Sequence, residues 1–341
     1  MLNKLLPVFA HKQWLIFIIL MLIITAIGCS ATMEKNSLSR NKVLNFGVMV
    51  HLEGWNDGAD EARFRQHAEL LREYATLFEK YGAKLTLESK EMTEGAIRWN
   101  DNVLLEMEKR GHAIGVHADV GGSRNDTYVQ MTQKLTVMKS KLESLGVNVR
   151  HVSGIVSHLD WVSAAAETGY KFVTGTVAYA LLSLPPEKRP ITIPDNATPA
   201  AFHQSYPFTL DGRISPWTAE SGLNWLDDSP NGKIVIIPSG GGLSMTYEET
   251  QNITAKPGQK EFTLEDINAL ENELNTIFGY MTSDKVYTYY VSWSLGGTLD
   301  KAVLESWLQM VNKYVDSGKI QWKTIPEMYD AYIKWESIGG K

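Results

Sequence analysis

Cysteine is all but missing from this 341-residue chain: there is one, at position 29. A single thiol excludes an internal disulfide framework and any thiolate zinc cluster. Positive charge is not in excess either, since 33 Lys and Arg stand against 39 Asp and Glu, for a net −6 with neutral histidine. That balance argues against nucleic acid as a partner. No segment recurs at a fixed period, which excludes solenoids and propellers. Long apolar runs are also lacking; the most sustained, Trp14 to Ile24, is too short to span a bilayer comfortably. What is present is ordinary for a folded protein. With 44% hydrophobic and 10% aromatic residues, the chain can bury a substantial core.

The first residues read as an address. Lys4 and Lys12 precede the apolar run, which ends in Ala26-Ile27-Gly28-Cys29. A basic start, a short apolar stretch and small residues before a cut site describe a secretory signal. The last four residues resemble the lipobox of bacterial lipoproteins, with Ala26 at the position where leucine is preferred. The resemblance implies a signal peptide over 1–28 and lipidation of Cys29 as the new N-terminus. It also implies an extracytoplasmic protein anchored by lipid to the bacterial cell envelope. Residues 29–42 are mostly polar and suit a tether, leaving a domain over 43–337.

From residue 43 the apolar pattern alternates between period two and period 3.6. Strands are predicted near 43–53, 84–88, 113–119, 149–157, 172–179, 233–238, 286–294 and 320–325. The helix pattern is clearest at Phe64, Ala68, Leu71, Ala75 and Phe78, and at Tyr128, Met131, Leu135, Met138 and Leu142. Residues 180–232 break the series. They hold eight of the 12 prolines and no sustained period, so they read as a long insertion beside a site. Seven or eight βα units in succession predict an α/β fold, a (β/α) barrel, with an open doubly wound sheet as the alternative. Gly240-Gly241-Gly242 after a strand is a weak phosphate signal and a better sign of a tight turn or close backbone approach.

Three His-x-acid pairs fall at predicted strand ends: His51 with Glu53, His117 with Asp119, and His158 with Asp160. Residues i and i+2 of a strand share a face, so each pair offers an imidazole and a carboxylate together. In a parallel barrel such ends converge on one rim. Imidazole and carboxylate are also common ligands of catalytic zinc. A fourth pair, His67 and Glu69, lies on a helix, where residues two apart diverge, and is expected at a solvated surface.

Gly111-His112-Ala113-Ile114-Gly115-Val116-His117 resembles the second motif of NodB-type polysaccharide deacetylases, a "RGHEIGxH" stretch that brings a metal-binding histidine to a strand end. In register the resemblance spans about 44–180 and 233–335. It implies that Glu53 takes the place of the metal-binding aspartate of motif one and His117 that of the first metal histidine. The pattern departs elsewhere. Leu52 stands at the catalytic-base aspartate and Gly121 at the second metal histidine. The arginine-proline run is absent around Gly154 to His158, and no histidine occupies the region of Ser292-Trp293-Ser294.

The resulting expectation is a metal-dependent hydrolase that deacetylates amino sugars of a glycan through a metal-bound water. His51 or Glu53, His117 and His158 would hold a divalent metal, zinc first and cobalt or nickel as alternatives. Asp119 or Asp160 would act as base or orient a histidine, although either carboxylate could itself be a ligand. Trp55, Trp161, Trp217 and Trp293 are candidates to stack on sugar rings. Two other readings stay open: a non-catalytic glycan-binding lipoprotein on the same barrel, and a glycosidase using two carboxylates.

Overall fold

The first strand, β1 (Leu44–Leu52), runs through the centre of the molecule and is contacted by β2 (Leu85–Ser89), β8 (Tyr287–Ser294) and β9 (Ile320–Trp322). The structure, a computed structural model, describes residues 42–340 except 54, 156, 195, 251–260, 297 and 298. The signal-like segment, Cys29 and the tether up to residue 41 lie outside the described residues. Among the described residues no helix is long and apolar enough to cross a membrane.

Around β1 and β2 the sheet continues through β3 (Ala113–His117), β4 (His151–Ser153), β5 (Phe172–Val173) and β7 (Ile234–Ile236), all parallel. Among the described strands only β6 (Trp217–Ala219) runs antiparallel, along the outer edge of β7. The sheet closes just beyond β7. Gly240 N donates to Tyr290 O at 2.8 Å, and Ser292 N donates to Gly241 O at 2.9 Å. Seven strands, β1 to β5 with β7 and β8, thus make an irregular barrel, and the open-sheet alternative is set aside. The glycine run serves this closure. A Cβ at Gly240 would lie 2.3 Å from the Tyr289 ring, and Gly241 has φ +113°.

Helices cover the outside: α1 (Glu61–Lys80), α2 (Glu91–Arg98), α3 (Val103–Lys109), α4 (Tyr128–Glu143), α5 (Trp161–Glu167), α6 (Leu210–Ile214), α7 (Thr246–Thr250), α8 (Leu264–Tyr280), α9 (Lys301–Asp316) and α10 (Ile325–Ser337). Their starts are written locally. Asp60 caps α1 by accepting from Arg63 N, and Thr127 with Gln130, and Thr263 with Asp266, form capping boxes on α4 and α8. The stripe Phe64, Ala68, Leu71, Ala75 and Phe78 buries against the barrel wall, the large members contributing roughly 1.5–3 kcal/mol each.

Inside the barrel lies a smaller core of Met49, Phe172, Val235, Ile237 and Tyr290. Ile325, Met328 and Tyr332 of α10 plug its lower end. Gly47 permits that plug, because a Cβ there would sit 2.5 Å from Lys323 O. The interior is therefore apolar at the bottom. At the C-terminal ends of the strands it turns polar, and that is where the site lies.

The 180–232 segment is less of an excursion than its prolines suggest. Leu181, Leu182, Ile193, Ile214 and Trp225 are buried, and β6 joins the sheet. Leu181 and Leu182 lie in a short 3-10 turn and the other buried residues on irregular backbone or a five-residue helix, so no long period announces them.

Candidate metal centre at the barrel rim

Strand register builds the cluster. Glu88 pairs with His51 on one side and with Gly115 on the other, and His117 lies two residues beyond Gly115. The period of two then turns His51, Glu53, Glu88 and His117 to the same inner face, with Ser153 opposite His117 on β4. Just past β3, Asp119 adopts a left-handed backbone, φ +48°, and its carboxylate meets the ring of His117.

His117 is the hub. Its Nε2 lies 2.7 Å from Glu53 Oε2 and 3.1 Å from Asp119 Oδ1. Its Nδ1 lies 2.9 Å from His51 Nδ1, 2.7 Å from Ser153 Oγ and 3.9 Å from Glu88 Oε2. The two faces of one imidazole thus see different company: an outward carboxylate pair and an inward buried set. Lys90 Nζ donates to Asp119 Oδ2 at 2.8 Å and partly neutralises that pair.

The charges follow from this arrangement. Burial opposes a charged His117, but Asp119, Glu53 and Glu88 outweigh it and push its pKa well above the usual value. His51, half-buried and beside His117, is lowered to about 4, chiefly by desolvation, and stays neutral. Burial works against ionised Glu88 as well, yet His117, His151 and His51 together bring it down to about 2. Asp119 is likewise held low, against burial, by His117 and Lys90.

Two donor groups here could hold a metal, Glu53–His117–Asp119 and His51–Glu88–His117, each with its ligand atoms within 4.8 Å of one another. The first group is nitrogen and carboxylate oxygen, the chemistry of a zinc-like ion, and its carboxylates are reached by solvent. These residues therefore fit a divalent ion. The deeper group contains Glu88 Oε2, a buried oxygen with no hydrogen-bond partner.

Of the expected site residues, the structure gathers His51, Glu53, His117 and Asp119 and leaves two apart. His158 lies five residues beyond the end of β4, and the charges acting on it are those of Arg124 and Asp126. Asp160 is the N-cap of α5, accepting from Ser163 N at 3.0 Å and from Gly222 N at 2.6 Å. Both backbone donors bond to its Oδ1. The helical control pair is also corrected: His67 is buried, with Nδ1 2.7 Å from Asp57 Oδ1.

The tryptophans divide too. Trp161 and Trp217 are core residues packed on Trp225, and their indole N–H groups go to Ser183 Oγ and Trp225 O. Trp293 borders the cavity beside the cluster, but its ring points outward and stacks on Phe78 at 5.7 Å. Trp55 lines that cavity, which has a volume of about 1090 Å³.

Two participants were not anticipated. Glu88 could have been suspected as an acid at the end of a strand otherwise fully buried. His203 lines the cavity and feels Glu53, His117 and Asp119, with burial the largest influence lowering its pKa. Nothing local marks it, because it is delivered by the irregular insertion.

No known family profile matches the chain, and no curated protein matches it in sequence. Solved structures do match in fold. A protein assigned as a polysaccharide deacetylase from Mycobacterium smegmatis superposes with TM-score 0.53 at 11% identity, over 88% of this chain and 93% of that one. PuuE allantoinase gives 0.54 at 10%, over 88% and 93%. A protein assigned as a polysaccharide deacetylase from Pseudomonas aeruginosa PAO1 gives 0.51 at 12%, over 84% and 89%. At these identities the likeness establishes the shared barrel fold.

Proposed function

We propose that this protein is a metal-dependent hydrolase of carbon–nitrogen bonds that removes acyl groups from amino sugars of a glycan, as a distant relative of the polysaccharide deacetylases. The observation that carries the reading is the Glu53–His117–Asp119 donor set at the C-terminal rim of a parallel barrel, beside a cavity large enough for sugar units. The shared fold with proteins titled polysaccharide deacetylase and allantoinase supports it.

Glu53, Asp119 and Nε2 of His117 would hold the ion, zinc in the first instance. When bound, the ion supplies Lewis acidity toward a carbonyl oxygen and toward water. Lys90 keeps Asp119 ionised and fixed in direction. His203, kept neutral by burial on the cavity wall, would take up a proton from the attacking water and pass it to the departing nitrogen. Trp55 offers a ring face to the sugar. The lipobox-like segment supports a lipid-anchored, extracytoplasmic protein acting on envelope or surface glycan.

The decisive experiment is metal content of the purified protein beside a His117→Ala variant, followed by acetate release from an acetylated amino-sugar polymer. About one divalent ion per chain, lost with turnover in the folded variant, is the expected result. No uptake of zinc, cobalt or nickel by the parent would overturn the mechanism. A second reading, glycan binding without catalysis, is favoured by the ion pairs that already engage Asp119 and Glu53. It requires undiminished glycan affinity in chelator.

A further inference from the structure

The least satisfied polar groups near the site are not at its mouth but beneath it. Glu88 is fully buried; Thr174 Oγ1 donates to its Oε1, while Oε2 has no hydrogen-bond partner. Beside it, His151 is also fully buried, its Nε2 3.5 Å from Glu88 Oε1, and neither ring nitrogen has a hydrogen-bond partner. Buried polar atoms left unpaired are costly and call for a role. The space has been made for them. A Cβ at Gly115 would lie 2.2 Å from His151 Nε2, so only glycine admits that ring. Phe172 stacks under the same ring at 4.9 Å and holds it in place.

What Glu88 faces explains its burial. His51 Nδ1, His117 Nδ1 and a Glu88 carboxylate oxygen lie within 4.8 Å of one another. His117 can ligate through Nε2 only if the ring's proton resides on Nδ1. Ser153 Oγ, 2.7 Å from Nδ1, does not settle this, because a hydroxyl can donate as readily as accept. Were it to donate, the proton would move to Nε2, the nitrogen that faces Glu53 and Asp119. His51 Nδ1 has the same ambiguity. The Glu88 carboxylate, 3.9 Å from His117 Nδ1 and beyond hydrogen-bond reach, biases it by charge once an ion occupies the competing carboxylates Glu53 and Asp119 on the Nε2 side.

Resting on the metal-centre reading above, we infer that Glu88 is a positioning residue. Its buried carboxylate keeps the proton of His117 on Nδ1 and turns Nε2 toward Glu53 and Asp119, setting the ion affinity of the rim without touching the ion. Carboxylates behind ligating histidines act in this way generally, and their loss weakens metal binding by about 10–100-fold.

The test is cobalt(II) titration of the full-length protein, followed by visible absorption, in the parent, Glu88→Gln and Glu88→Asp. Near-ultraviolet circular dichroism serves as the control for folding. Expected is a Kd about 10–100-fold weaker in Glu88→Gln, with part of the affinity restored in Glu88→Asp, which keeps the charge. A folded Glu88→Gln that binds cobalt as the parent does, with the same spectrum, overturns the inference and leaves the proposed function standing. A parent that takes up no cobalt overturns both. Should Glu88→Gln fail to fold, nitrogen-15 NMR of the zinc-loaded parent decides. A proton on Nδ1 of His117 is expected, and zinc on Nδ1 would overturn the assignment.

Discussion

The rim above β3 and the rim above β4 carry the same residue types in the same spacing and behave in opposite ways. After β3, His117 is the last residue of the strand and Asp119 turns back on it through a left-handed backbone. After β4 the strand stops at Ser153, and the chain runs on through Gly154 before reaching His158 and Asp160. By then the carboxylate has become a helix cap and the imidazole feels the charges of Arg124 and Asp126. Distance from the strand end thus separates a candidate ligand from a capping residue. A side chain on the strand inherits the inward face, whereas one five residues later is aimed by its loop.

That contrast can be broken most directly by alanine. His117→Ala is expected to lose the bound ion and to lower acetate release by roughly a thousandfold or more, while His158→Ala stays within a few-fold of the parent. Equal losses in the two variants would erase the distinction. The tryptophans sharpen it next. Trp161→Ala should lower stability by about 3–5 kcal/mol in denaturant titration, through the void left against Trp225. Trp55→Ala should instead leave the midpoint nearly unchanged and raise KM for a glycan.

Smaller still is the expected effect of the paired carboxylates. Asp160→Ala removes an N-cap and should cost about 1 kcal/mol with metal content intact, whereas Asp119→Asn should weaken metal binding. A metal-poor Asp160→Ala would show that the β4 rim takes part after all.

Acidity offers the gentlest probe. His51 and His151 are held down to about 4, chiefly by burial, below the value near 6.5 of an unfolded chain. As pH falls, the unfolded chain takes up these protons first. Their contribution is therefore full above about pH 6.5 and lost between there and about pH 4. Glu88, lowered to about 2, adds a further loss as pH falls from about 4.3 toward 2. The melting temperature of metal-free protein should decline across both windows, and a flat profile between pH 4 and 6.5 would contradict neutral buried histidines.

Much of the barrel is legible in the sequence. Alternation at Phe46, Val48 and Val50, and the helical stripe from Phe64 to Phe78, mark elements whose apolar faces must meet. The strands expected at 149–157, 172–179 and 320–325 are shorter in the structure, because irregular backbone with inward side chains keeps the same alternation without the ladder. The insertion, expected as an excursion beside the site, does bring His203 to the cavity but also buries Trp217 and Trp225 in the core.

The sequence by itself determined the alternation of elements, the caps that start the helices, and the pairing of imidazole with carboxylate at His51–Glu53 and His117–Asp119. These are local matters, governed by spacing along the chain and by the two-residue period of a strand. Only the tertiary structure decided that Glu88 lies beneath them, that His203 faces them, and that His158 and Asp160 stay away. Such neighbours are chosen by strand register and loop path, which bring together residues as far apart as His51 and His203, and no local period encodes that meeting.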